Sequence, residues 1–249
     1  MPIADWRADA LPENTRSVLD QVSRLPALEG FRLVGGTALA LRVGHRQSED
    51  IDLLWPGARL PRAAIDSVIE DLDAAGRKTL LATSESVRLD WDAEGLDIDD
   101  HQQDWMVDGV KVTLFTTDAA PPASSRRHGV LDVADQDAIF EAKSRLLVKR
   151  TATRDLFDIW WFLTHGGHTI HEVVALMRQA NPHYADSMIR GRLLPSRAPL
   201  ADPGVQPLTP GAPADFAALR EALRPHVAEW EIALAAQVIA DEAGRGSAS

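Results

Sequence analysis

The chain reads as an α/β protein, with a mixed sheet and its helices in the first half and an almost wholly helical second half. Three observations predict this. Short apolar runs that end at Gly or Pro alternate with segments of helical spacing as far as Phe115. The pair Asp108-Gly109 sits between two alternating segments, which is a strong signal for a two-residue hairpin. From Asp135 onward, apolar residues recur at intervals of three and four. The organisation expected is a core of residues 1–132 and a helical domain of residues 133–249, the latter carrying a proline-rich connector at 195–213.

The elements follow in order. Val18, Leu19, Val22 and Leu25 share one helical face within 12–26. Phe31 to Val34 is a short buried strand that stops at Gly35-Gly36, and Thr37 to Val43 is a helix stopped by Gly44. Asp50 to Trp55 alternates and ends at Pro56, as a strand does. Residues 61–75 place Ile65, Val68, Ile69 and Leu72 on one side of a helix. Lys78 to Thr83 and Val87 to Trp91 read as strands, and so do the two arms of the hairpin, Trp105 to Val107 and Val110 to Phe115. Helices are expected at 136–149 and at 154–164, the second capped by Thr153 and stopped at Gly166-Gly167. Shorter ones follow at 170–180 and 184–193. Six prolines between Pro195 and Pro213 make that segment extended. A last helical stretch, 214–243, should break at Pro225, and the tail GRGSAS should be disordered.

Composition narrows the functions. The chain contains no cysteine, so thiol catalysis, zinc–thiolate sites and disulfides are excluded. The first fifteen residues lack a basic start followed by an apolar run, and the most apolar stretch, Ile159 to Leu163, is too short to span a bilayer. Cytoplasmic residence, with no membrane partner, is the expectation. A net charge of −11 argues against coating nucleic acid through a uniformly basic surface. It suits a site built from carboxylates that needs a cation before an anionic substrate enters.

Asp50 and Asp52 form such a site. Side chains alternate along a strand, so the two carboxylates stand on one face, roughly 6.6 Å apart at Cα. Like charges this close repel unless a cation lies between them, and hard oxygen ligands select Mg²⁺ or Mn²⁺. Taken alone, an Asp-x-Asp pair is more often the wet face of a half-buried strand. The preceding segment changes that reading. Gly35 and Gly36 open a short helix whose first turn has unpaired amides, a place where phosphate binds backbone, and the Thr37 hydroxyl can add a donor.

The segment FRLVGGTALALRVGHRQSEDIDLL resembles the signature of the nucleotidyltransferase superfamily, and its GGTALALRVGHR-x-S-x-DID detail resembles the AbiEii/AbiGii-type nucleotidyltransferase toxins. A second block, EAKSRLLVKRTATRDLFDIWWFL, is similar to that family's K-x6-R-x3-RD-x2-D motif and supplies Lys143, Arg150, Arg154, Asp155 and Asp158. The resemblance covers residues 30–165. It implies a nucleotidyltransferase-fold core with a C-terminal helical domain. It also implies a reaction in which a nucleoside triphosphate loses pyrophosphate and its nucleotidyl group passes to an acceptor. In this reading Asp50 and Asp52 hold Mg²⁺ (or Mn²⁺), and Gly35, Gly36 and Thr37 cradle the phosphates. Arg46 and Ser48 reach the nucleotide from the intervening loop. The family implies an acceptor at the 3′ end of a transfer RNA, a place in a toxin–antitoxin or phage-defence system, and a separately encoded antitoxin. Lys143 and Arg150, seven apart and so on one helix face, suit a triphosphate. Asp158 lies where a carboxylate orients the lysine or takes a proton.

One position departs from the pattern. Three-carboxylate members of the superfamily carry the third acid on a later strand, in a pattern like VKVDLF, and here the chain reads VKVTLF with Thr113. The rival readings are transfer to a protein hydroxyl or an aminoglycoside, and a non-catalytic nucleotide-binding module, which Thr113 favours. The remaining signals have ordinary readings. Arg46 and Ser48 are loop residues as well as candidate ligands, His165, His168 and His171 lack a partner that completes a metal site, and Trp160-Trp161 packs a core.

Overall fold

The computed structural model describes residues 6–117, 119–199 and 204–246. The chain divides into two compact units, Met1–Ile139 and Phe140–Ser249.

In the first unit, α1 (Glu13–Val22) precedes β1 (Arg32–Val34), α2 (Gly35–Val43) and β2 (Ile51–Trp55). Then come α3 (Arg62–Ala74), β3 (Thr79–Leu81), α4 (Glu85–Ala93), β4 (Gln102–Val107), β5 (Val110–Thr116), β6 (Ser124–His128) and β7 (Leu131–Ala134). Among the described residues, seven strands form one mixed sheet in the order β3-β4-β5-β2-β1-β7-β6. Its centre is set by two pairings of β2, which runs antiparallel to β1 and parallel to β5. Alternation decides the faces. Leu33, Ile51, Leu53, Val112, Leu114 and Val133 are buried, as are Val18, Leu19 and Val22 of α1 and Ile65, Val68 and Leu72 of α3. Each such side chain contributes about 1.5–3 kcal/mol by leaving water.

The hairpin forms as its turn residues demand. Asp108 and Gly109 both have positive φ, 47° and 82°, and Val107 pairs with Val110. α2 ends on Gly44, whose left-handed φ of 63° lets its amide return to Ala40. Two expectations need correction here. The helix after β1 starts at Gly35, two residues before the apolar run begins, because a helix needs only backbone at its first turn. Val87 to Trp91 is not a strand but the middle of α4. Its V-x-L-x-W alternation buries none of α4's residues, and the stop is helical: Gly95, at φ 75°, allows the Leu96 amide to bond the Trp91 carbonyl.

α5 (Gln136–Leu146) leads into the second unit, which holds α6 (Thr153–His165), α7 (Ile170–Ala180), α8 (Asp186–Leu193) and α9 (Phe216–Gly246). α9 packs on α6, α7 and α8, with Leu219, Leu223, Val227 and Trp230 buried. Phe157, Ile159 and Phe162 of α6 and Val173 and Met177 of α7 are buried too. Thr169 and Glu172 close a reciprocal capping box at the start of α7. Trp160 and Trp161 are both buried, and His168 stacks on Phe140 at 3.7 Å between ring centres. Thr153 does not cap α6. It is the first helical residue, and Ala152 holds the cap position without a side-chain bond. Of the tail, Gly244 to Gly246 lie in the last turn of α9 and 247–249 fall outside the described residues. Among the described residues, no helix is long and apolar enough to cross a membrane.

The helix also does not break at Pro225, which lies inside α9. A proline there removes one amide donor and crowds the Glu221 carbonyl. That cost is borne on an exposed position, while the residues that bury the helix flank it on both sides. Pro225→Ala restores the missing hydrogen bond, so unfolding free energy should rise by about 1–3 kcal/mol. Urea denaturation at unchanged m-value measures this, and a fall would mean that the chain is not helical at 225.

Candidate active site

The turn from β1 into α2 is where sequence and chemistry meet. Val34 pairs with Asp52 across the antiparallel ladder, so the next residue, Gly35, comes up against the Asp52 side chain. Gly35 has φ 71°, and a Cβ there would collide with Asp52 Oδ2. Gly36 is as tightly enclosed, since its Cβ would lie 2.6 Å from Arg46 Nη2 and 3.1 Å from Ser48 Oγ. Gly35 is therefore required by its backbone and by close approach, whereas a side chain at Gly36 would have to displace the end of Arg46. Val34, at the cap position of α2, offers no side-chain acceptor to the first amides of the helix.

The loop between α2 and β2 is tied down beneath this turn. The Thr37 hydroxyl is fully buried and bonds both the Asp50 carbonyl and, at 2.9 Å, the Ser48 hydroxyl. A carbonyl only accepts, so Thr37 donates to Asp50 and Ser48 donates to Thr37. The hydroxyl expected to meet phosphate is thus spent on the chain, and Thr37 as a whole is fully buried. Ser48 is buried as well, and Arg46 is buried with Nη1 donating to the Gln47 carbonyl at 2.8 Å. Asp50 directly precedes β2 rather than lying in it, and the Thr37 bond fixes its position. Asp50 and Asp52 are both half-buried. The structure brings Gly35, Gly36, Thr37, Arg46, Ser48, Asp50 and Asp52 together around one turn.

Asp52 heads a row across the sheet. It pairs with Thr113 in β5, and Thr113 pairs with Asp104 in β4. Paired residues share a face, so all three side chains stand on the same side of the sheet. Thr113 donates its hydroxyl to Asp104 Oδ1 at 2.8 Å, and Lys111 Nζ lies 3.4 Å from Oδ2. Asp104 escaped sequence analysis, although the signal existed. A two-residue turn at Asp108-Gly109 fixes the hairpin register and so puts residue 104 opposite residue 113.

Within the second unit, the other motif forms a buried ionic cluster. Lys143 Nζ lies 2.7 Å from Asp155 Oδ1 and 2.8 Å from Asp158 Oδ2, and Arg150 Nε lies 3.2 Å from Asp155 Oδ2. Both aspartates, three apart on α6, are fully buried, whereas Arg150 is exposed. Lys143 and Arg150 do not share a helix face, because α5 ends at Leu146 and the chain turns before Arg150. They converge instead through Asp155, whose role as the hub spacing alone did not reveal. Asp158 does hold the lysine.

The donor set can be tested against a metal. Asp50 and Asp52 present only hard oxygens, which fit Mg²⁺ or Mn²⁺ and not a soft ion. Among the described residues, no group of three His, Asp or Glu is placed to hold one ion. The pair would leave the other coordination positions to phosphate and water, the usual habit of Mg²⁺.

Residues 17–238 match the family described as nucleotidyl transferase AbiEii toxin, type IV toxin–antitoxin system. The chain belongs to that family. The resemblance carried by its two motifs is borne out, and the AbiEii chain is a transferase that uses a nucleoside triphosphate. An uncharacterized protein of Aquifex aeolicus (strain VF5) is 25% identical over 174 residues, covering 68% of this chain and 75% of that one. MenT4, a nucleotidyltransferase toxin from Mycobacterium tuberculosis H37Rv, shares the fold with a TM-score of 0.51 at 17% identity, covering 87% of this chain and 85% of its own. JHP933 from Helicobacter pylori is similar in fold at a TM-score of 0.50 and 17% identity, covering 94% of this AbiEii chain and 99% of its own.

Two variants test the geometry. Gly35→Ala should displace Asp52 and strain the turn, costing about 1–3 kcal/mol of stability and lowering nucleotide transfer by about 100-fold. Thermal unfolding and a transfer assay read the two effects separately, and unchanged activity would show that the close approach is not needed. Lys143→Ala should destabilise the protein by about 3–5 kcal/mol, because it takes from two fully buried carboxylates the ammonium they share, with only the exposed Arg150 still paired to Asp155. Urea denaturation checks this, and a loss under about 1 kcal/mol, the level of a surface pair, would mean that the cluster is hydrated.

Proposed function

We propose that this AbiEii chain transfers a nucleotidyl group from a nucleoside triphosphate to the 3′ end of a transfer RNA. It acts in the cytoplasm as the toxin of a toxin–antitoxin or phage-defence pair, restrained by a separately encoded antitoxin protein. The observation that carries the reading is the β1–α2 turn, where glycine backbone and the Asp52 carboxylate stand in contact with Arg46 beside them.

The roles follow from this geometry. Phosphate oxygens are assigned to the first turn of α2, where Gly35 is half-buried and Gly36 and Thr37 are buried behind it, helped by the positive end of the helix dipole. Arg46, held beside Gly36, adds a fixed positive charge. Asp50 and Asp52 would hold Mg²⁺ (or Mn²⁺), which would supply neutralisation of the phosphate charge. Ser48 and Thr37 keep Asp50 in place from beneath. In the helical unit, Lys143 and Arg150 are assigned to nucleotide charge by the family motif, with Asp158 and Asp155 positioning the lysine. The acceptor hydroxyl oxygen bonds to the α-phosphorus, the bond from that phosphorus to the bridging oxygen breaks, and pyrophosphate leaves.

An RNA acceptor is supported by charge distribution. In a chain of net charge −11, residues 140–199 carry nine Lys or Arg against five Asp or Glu. Five of the nine cations, Lys143, Arg145, Arg150, Arg178 and Arg190, are paired with acids, so the stretch offers a phosphate backbone a modest positive excess.

Incubation with each labelled nucleoside triphosphate and total RNA tests the reading. Label should enter the transfer RNA fraction, while Asp50→Ala and Asp52→Ala should reduce incorporation to background with the fold retained. Label entering protein or an aminoglycoside would overturn the acceptor, and full activity in either variant would overturn the site.

A further inference from the structure

As the attacking oxygen bonds to phosphorus, its proton must go to a base. Asp50 and Asp52 are assigned to the metal, and Thr113, beside Asp52, cannot serve because its hydroxyl is neutral. The next residue in the same row is Asp104. Two ladder steps of about 4.8 Å put it roughly 10 Å from Asp52 at Cα, on the same face. That gap suits a phosphoryl group and a hydroxyl held about 3–3.5 Å away from it, with a base about 2.6–3.2 Å beyond.

Its surroundings fix the Asp104 carboxylate in place. Oδ1 accepts the Thr113 hydroxyl at 2.8 Å. Gln102 Nε2 lies 3.4 Å from Oδ1 and 3.3 Å from Oδ2. The ammonium of Lys111 lies 3.4 Å from Oδ2. The side chain keeps 14% of its exposure, so it is confined but not sealed. Among the described residues, Asp104 does not form a three-acid cluster with Asp50 and Asp52.

We infer that Asp104 accepts the proton of the attacking hydroxyl and that Thr113 is the positioning residue that aims it. The inference rests on the transferase reading above. In the step, the acceptor O–H bond breaks, its oxygen bonds to the α-phosphorus, pyrophosphate departs, and the proton resides on Asp104 until solvent removes it. Thr113 thus marks a carboxylate moved one strand outward and not a decayed site.

Steady-state transfer by the full-length protein, with Asp104→Asn, Thr113→Val, Thr113→Ser and Asp52→Ala, tests this. Asp104→Asn keeps the size and the acceptor for Thr113, and should lower kcat by about 100-fold or more with KM for the triphosphate nearly unchanged. Thr113→Val should lower kcat about 10-fold, and Thr113→Ser, which keeps the hydroxyl, should recover it. Wild-type kcat in Asp104→Asn, alongside loss in Asp52→Ala, overturns the inference and leaves the transferase reading standing. A loss that appears in KM instead of kcat, or that Thr113→Ser fails to recover, also overturns it. Failure of the wild-type protein to transfer to any acceptor removes the transferase reading and this inference with it.

Discussion

The contact between the Gly35 backbone and the Asp52 carboxylate is the constraint on which the site depends. Antiparallel pairing of β1 with β2 opposes Val34 to Asp52, and the chain must then turn into α2 at once. A side chain at 35 would occupy the space the carboxylate needs, and most residues would resist φ 71°. Once that turn is made, the first turn of α2 and the Asp52 carboxylate of β2 come to one place without further adjustment. Thr37 completes the arrangement by bonding the Asp50 carbonyl, which joins helix and strand where no ladder does.

Much of this was legible because the signals are local. Gly35-Gly36, the Asp50-Ile51-Asp52 alternation and the Asp108-Gly109 turn each dictate backbone within a few residues, and the elements they mark form with their bounds at those signals within two residues of those expected. What failed to read is what depends on partners far along the chain. Val87 to Trp91 alternates like a strand, yet no strand pairs with it and α4 forms instead. Pro225 should stop a helix, but burial on both sides of it in α9 outweighs one lost hydrogen bond. Lys143 and Arg150 were joined by helical periodicity, whereas a fully buried carboxylate from α6 joins them. Asp104 went unread although its register was available, because a single strand acid carries no signal until its neighbour is known.

The Lys143 cluster has a structural part that stands apart from the chemistry proposed for its motif. Burying two carboxylates and an ammonium is costly, and the pairing repays that only if geometry is close. Distances of 2.7 and 2.8 Å satisfy the condition. A residue so bound cannot be lost without harm to the fold, so activity alone will not separate its structural from its chemical part. Asp50 and Asp52 differ in being only half-buried.

The row through Asp52, Thr113 and Asp104 bears on how a sheet distributes chemistry. Residues in register across a ladder share a face and differ only by strand spacing, so a function held by one strand can pass to its neighbour without a change of fold. What limits the move is reach and aim. One ladder step is comparable to the size of the reacting groups, and a carboxylate that far out needs a partner to hold its orientation. A threonine is suited to that, since its branched Cβ is stiff at χ1 and its hydroxyl can donate. Aspartate in its place would set two like charges opposite each other, which destabilises a strand pair. The neutral residue at 113 and the acid at 104 are therefore two halves of one arrangement, and neither is read correctly without the other.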